Sequence, residues 1–132
     1  MQQDIFQIAL VVKDYDEAIN YYTQVLNFVL VEDSQLSASK RWVRIRPQGS
    51  KGFCLLLAKA KNKEEERSIG NQTGGRVFLF MHTENIARDY LNLSKHGVEI
   101  VRNISEESFG KVLVFKDLYG NLWDLIERNN EN

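Results

Sequence analysis

The second half of this chain repeats the first, and that restricts its fold more than anything else in the sequence. The run Arg76-Val-Phe-Leu-Phe-Met-His82, entered through Gly74-Gly75, lines up with Gln7-Ile-Ala-Leu-Val-Val-Lys13 at an offset of 69. Carried downstream without a gap, the offset sets Ala18 on Ala87, Tyr21 on Tyr90, Val29 on Val98 and Val31 on Ile100. Both tracks read strand, helix, strand, and the pattern carries the repeat more than the identities do. Such a repeat predicts two similar halves of one domain. It also predicts a ligand site where the halves face each other.

A chain of 132 residues suits one domain with a real core. The formal net charge of −1, with basic residues spread along the chain, gives no electrostatic case for nucleic acid or an anionic membrane. Cys54 is the only cysteine, so no intrachain disulfide can form. Met1 to Asp4 lacks the basic start and apolar stretch of a signal peptide. No apolar run approaches the roughly 20 residues of a membrane helix. The expectation is a cytoplasmic protein with neither nucleic-acid nor membrane partners.

Ile5 to Val12 is β-branched and apolar on both faces, which predicts a strand covered on both. Asp14 followed by Glu17 predicts a capped helix running to about Leu26, with Ala18, Tyr22, Val25 and Leu26 on its inner face and Asn27 as a left-handed stop. Strands are expected at Phe28–Glu32, Arg41–Arg46 and Phe53–Ala58, with Asp33–Ser39 as a polar loop. In Arg41–Arg46, Val43 and Ile45 share one face, and Trp42, Arg44 and Arg46 share the other. Lys61–Arg67 could form a short exposed helix, and Gly70–Gly75 is irregular.

The second half predicts a strand at Arg76–Met81 and a helix from Thr83 or Glu84 to His96. Ile86, Ala87, Tyr90, Leu91 and Leu93 are its apolar residues, and Gly97 stops it. Strands follow at Val98–Arg102, Lys111–Lys116 and Leu122–Glu127. Asn103–Gly110 reads as a loop, and Asp117–Asn121 as a hairpin turn. Residues after Arg128 read as a frayed tail. The organisation is a first module over about 4–60, a connector over 61–75 and a second module over about 76–128.

Each sheet must spend one face on its helix. Side-chain alternation gives the other face Gln7, Ala9 and Val11 in the first strand. In the repeat strand it gives Arg76, Phe78 and Phe80, and in the last strand Leu122, Asp124 and Ile126. Asp124 is then a carboxylate among apolar neighbours and needs a partner, for which Arg76 is the nearest candidate.

Two βαβββ halves, the entry Ile8 to Tyr22 and the ending Phe115-Lys-Asp-Leu-Tyr-Gly-Asn-Leu-Trp-Asp-Leu-Ile-Glu127 resemble the vicinal oxygen chelate superfamily. That group includes glyoxalase I, the bleomycin-resistance proteins, the fosfomycin-resistance enzymes and the extradiol dioxygenases. The resemblance implies an α+β fold, two βαβββ modules forming a curved mixed sheet around a central cleft. It also implies four metal-ligand positions. These fall on Gln7, on Leu55 or Cys54, on Arg76 and on Asp124. Only Gln7 and Asp124 could ligate a hard divalent cation, and two groups are too few.

The sequence reading is therefore a cleft-binding protein with a degraded metal site and no resident cofactor. Its ligand is a small aromatic or anionic molecule, taken by sequestration as in the bleomycin-resistance proteins. The ligand-contacting set is Gln7, Trp42, Arg44, Arg76, Phe78, Phe80 and Asp124. The rival is a metal-dependent lyase, isomerase or dioxygenase of the glyoxalase I type using Gln7 and Asp124, so the sequence does not decide whether the chain is an enzyme. A homodimer is expected, because family members commonly pair.

Overall fold

The structure is a computed structural model and describes residues 1–130. It divides the chain into two compact units, one ending at Ile69 and the other beginning at Gly70. The first contains β1 (Gln7–Val12), α1 (Tyr15–Gln24), β2 (Val29–Gln35), β3 (Arg41–Arg46), β4 (Cys54–Lys59) and α2 (Lys63–Ser68). The second contains β5 (Val77–His82), α3 (Ile86–Lys95), β6 (Ile100–Glu107), β7 (Gly110–Lys116) and β8 (Leu122–Arg128).

The two sheets share one topology, β1-β4-β3-β2 and β5-β8-β7-β6. In each, the first strand runs parallel to the last, and the other pairings are antiparallel. The repeat is therefore real, but its offset is not constant. The strand starts Gln7 and Val77 lie 70 residues apart, and the helix caps Asp14 and Asn85 lie 71 apart. At that second spacing the buried Tyr15 matches the buried Ile86, and the buried Tyr22 matches the buried Leu93. The gapless pairing of Ala18 with Ala87 was two residues out.

Local chemistry sets the helix ends. Glu17 N donates to Asp14 Oδ2 at 2.8 Å, which satisfies one of the orphan amides at the start of α1. Asn27 takes a left-handed φ of 60° just past its end, as expected. The start of α3 corrects the sequence reading: Asn85, not Thr83 or Glu84, is the cap, and its Oδ1 accepts from Arg88 N at 3.0 Å. Gly97 adopts φ 70° after His96 and ends α3 where expected.

Each core lies between a sheet and its own helix. In the first unit Leu10, Val12, Val43, Ile45, Leu55 and Leu57 meet Tyr15, Ala18 and Tyr22. In the second, Leu113, Phe115, Trp123 and Leu125 are buried on the side of Ile86 and Leu93, with Phe115 and Trp123 stacked at 5.9 Å. Full burial of one such side chain stabilises by roughly 1.5–3 kcal/mol.

Four further expectations need correction. β2 and β6 run on through the polar stretches read as loops, to Gln35 and Glu107, because Asp33–Gln35 and Ser105–Glu107 find ladder partners on β3 and β7. β1 is not covered along its whole length: Leu10 and Val12 are buried, whereas Ile8 and Ala9, on opposite faces, are exposed and Val11 is half-buried. Ala87 and Leu91 are exposed instead of joining the α3 core, since the helical turn places them off the face that Ile86 and Leu93 share. Within the tail expected to fray, Asn129 is held by Ser108 O and Phe109 O; residues 131–132 lie outside the described residues.

The turn into β8 is built on a buried carboxylate. Asp117 Oδ1 accepts from the backbone N–H groups of Tyr119, Gly120 and Asn121. Its Oδ2 accepts from Asn121 Nδ2 and from Trp123 Nε1, both at 3.0 Å. Gly120, at φ 105°, supplies the left-handed step that few other residues tolerate. This turn fixes where β8 starts, and so where Asp124 falls.

Candidate functional site

Each sheet has a face turned away from its own helix. On the first sheet, register and alternation put Gln7 abreast of Cys54, and Ala9, Leu56 and Arg44 in one row. Arg44 Nε donates to Gln7 Oε1 at 2.8 Å, reaching diagonally across β4. Glu32 stands abreast of Arg44 on β2, its Oε1 3.7 Å from Arg44 Nη1, and Ser34 Oγ donates to Glu32 Oε2 at 3.4 Å. Gln7 and Arg44, both expected on this face, are thus brought together, and the guanidinium is already partly compensated. Trp42 is half-buried, abreast of Ser34. Arg46 is committed elsewhere: its Nη1 donates to the carbonyls of Pro47, Gln48 and Ser50 and closes the β3–β4 turn.

Sequence reasoning missed Glu32. Its signal was a charge opposite Arg44 on a paired strand, legible only once the β2–β3 register, with its irregularity between Leu30 and Glu32, is known.

On the second sheet, Phe80, Asp124, Val114 and Arg102 form one row across four strands. Phe80 is 68% exposed although it lies inside a strand. Asp124 is half-buried and has neither an ion pair nor a hydrogen bond among the described residues. Removal from water pushes its carboxyl above the usual carboxylate range, and the Arg102 charge partly opposes that push. Arg102, not Arg76, is therefore the cation that acts on Asp124.

The expected Arg76–Asp124 ion pair is not formed. Arg76 is exposed and stands just before β5, forming no ion pair among the described residues. Asp124 is abreast of Phe80, four residues further on, or roughly 13 Å along a strand. A register irregularity between Val77 and Leu79 also sets Val77 abreast of Leu122, so strict alternation cannot be counted back from Phe80 to Arg76. Phe78 lies in that irregularity and is half-buried.

A cavity of about 630 Å³ opens beyond the ends of β5 and β8, lined by His82, Thr83, Glu84, Lys111, Glu127 and residues 128–130. Its two carboxylates are committed, Glu127 to Ile86 N at 2.9 Å and Glu84 to Arg88 at 3.2 Å.

The topology, the doubled βαβββ order and the Asp117 turn are now joined by a match of residues 4–125 to the family model described as Glyoxalase/Bleomycin resistance protein/Dioxygenase superfamily. The chain belongs to that superfamily. A protein of Shewanella frigidimarina is 52% identical over 99% of this chain and 98% of its own length. The crystal structure of UcmS2 superposes with a TM-score of 0.83 at 24% identity, covering 96% of this chain and 98% of that one. TnmS3, an antibiotic binding protein from Streptomyces sp. CB03234, gives a TM-score of 0.76 at 21% identity, covering 97% and 98%. At these identities the two structures speak to fold alone.

The superfamily implies a divalent metal, and the residues at its four positions do not fit one. Gln7 Oε1 is occupied by a guanidinium N–H, and a cation there would sit beside Arg44. Cys54 rather than Leu55 is abreast of Gln7, buried in an apolar run. Arg76 cannot ligate. Among the described residues no three His, Cys, Asp or Glu side chains gather in metal-binding reach. Likewise no helix among them is long and apolar enough to cross a membrane.

Proposed function

We propose that this protein binds a small organic molecule, aromatic or anionic, on the far faces of its sheets and acts by holding it. One observation carries the reading. The superfamily's fold is intact, while the first metal-ligand position, Gln7, is committed to Arg44 at 2.8 Å. Each unit keeps a face suited to recognition. On the first, Trp42 is half-buried beside the positive charge of Arg44. On the second, Phe80 is exposed, Phe78 is half-buried and Asp124 has no hydrogen-bond partner among the described residues, while Arg76 adds a positive charge before β5. The antibiotic-binding role of TnmS3 supports the same reading.

Pairing with a second copy and a cytoplasmic location belong to this proposal. The pairing is motivated by Ile5 and Phe6, 80% and 57% exposed beside β1. Light scattering that gives a monomer at micromolar concentration would remove it.

Thermal shift against planar aromatic acids and amines tests binding, and stabilisation by several of them is expected. The rival is a metal-dependent lyase, isomerase or dioxygenase using Gln7 and Asp124. It would replace this account if a thiol-conjugated aldehyde were turned over with zinc, nickel or manganese, and the activity vanished in Asp124→Ala.

A further inference from the structure

The proposed function leaves the ligand as aromatic or anionic, and the row across the second sheet narrows it. Phe80 is 68% exposed in mid-strand, a position where a ring gains nothing from its own fold. Covering apolar surface is worth roughly 25 cal/mol per Å². Asp124 is the residue abreast of Phe80 on the adjoining parallel strand, one inter-strand spacing or roughly 5 Å away. A flat ring laid on Phe80 therefore brings its substituents onto the carboxylate.

Asp124 sets what those substituents can be. It is half-buried and lacks a donor among the described residues. Arg102 is two strands away across Val114, roughly 10 Å. Arg76 is four strand positions upstream. A plain hydrocarbon would cover Asp124 without giving it a partner, at a cost of about 1–3 kcal/mol. An anion would set like charges together. A donor alone relieves the carboxylate and gains a charge-assisted hydrogen bond.

Resting on the proposed binding function, we infer that the ligand is a planar aromatic carrying a hydrogen-bond donor, a hydroxyl or a protonated amine, with its ring on Phe80 and its donor on Asp124. Anionic aromatics are the disfavoured class at this place. Binding is non-covalent, and no bond is made or broken.

Three probes that share one ring system test this on the full chain: a naphthol, a naphthylmethylamine and a naphthoate, each titrated by its own fluorescence. The naphthol or the amine should bind on the order of tenfold more tightly than the naphthoate, the equivalent of one charge-assisted hydrogen bond. Asp124→Asn keeps the side-chain shape and should erase most of that preference. Phe80→Ala should weaken all three probes by a similar factor. If the naphthoate binds best, or the preference survives both Asp124→Asn and Asp124→Ala, the inference is wrong while the binding function stands. If none of the three binds, both fail.

Discussion

Gln7 and Arg44 are joined side chain to side chain, Nε to Oε1 at 2.8 Å, although 37 residues separate them in the chain. In the superfamily the position of Gln7 is where a metal ligand would stand. Here its oxygen faces a guanidinium, which repels a divalent ion and is itself steadied by Glu32 at 3.7 Å. On the proposed reading, the bond makes Gln7 part of a polar surface and not a metal ligand.

Asp124→Asn should stabilise the fold. Desolvation raises the folded carboxyl above its unfolded value, against the weaker pull of Arg102. A raised acid binds more protons folded than unfolded, so its charged form opposes folding as pH rises. That cost is present at neutral pH and fades toward the ordinary carboxylate range near about 4. Urea denaturation should show a small gain for the variant at pH 7 and none at low pH. Because the group is only half-buried, solvent screens the effect and the gain is modest.

Arg41→Ala should cost about 1–2 kcal/mol by urea denaturation. Its guanidinium holds Asp33 on β2 at 2.7 Å and Asp16 on α1 at 2.8 Å, and it lies 5.2 Å from the Tyr15 ring centre. The hydrogen bonds to Asp33 and then Asp16 push its pKa further up. Arg41→Lys should recover little, since an ammonium cannot make the fork.

Asp117→Asn should be the severest of these variants, at about 3 kcal/mol or more, because buried N–H groups lose their acceptor. Circular dichroism melting reads the loss, and the near-ultraviolet signal of Trp123 should change with it, since Trp123 Nε1 is bonded to that carboxylate.

The sequence carried much of the fold, for local reasons. Asp14, Asn27, Gly97 and Gly120 act through their own backbone chemistry, so their roles could be read without neighbours. β2 and β6 were read too short because they are the outermost strands of their sheets. An edge strand can carry polar residues through its whole length, so composition does not mark its end. The start of α3 was misplaced because the segment between β5 and its cap is longer than that between β1 and its cap, which a gapless repeat hides. Arg76 was aimed at Asp124 by counting alternation through a register shift that no residue in β5 announces. Phe80 and Asp124 were each read onto the face away from the helix by alternation, but that they stand abreast needed the β5–β8 register.

The central claim is that this superfamily fold has given up its divalent ion, and calorimetric titration of the purified chain with zinc, nickel and manganese addresses it most directly. The account predicts no stoichiometric binding tighter than micromolar for any of the three. One ion per chain, held at submicromolar affinity and lost in Gln7→Ala or Asp124→Ala, would contradict it.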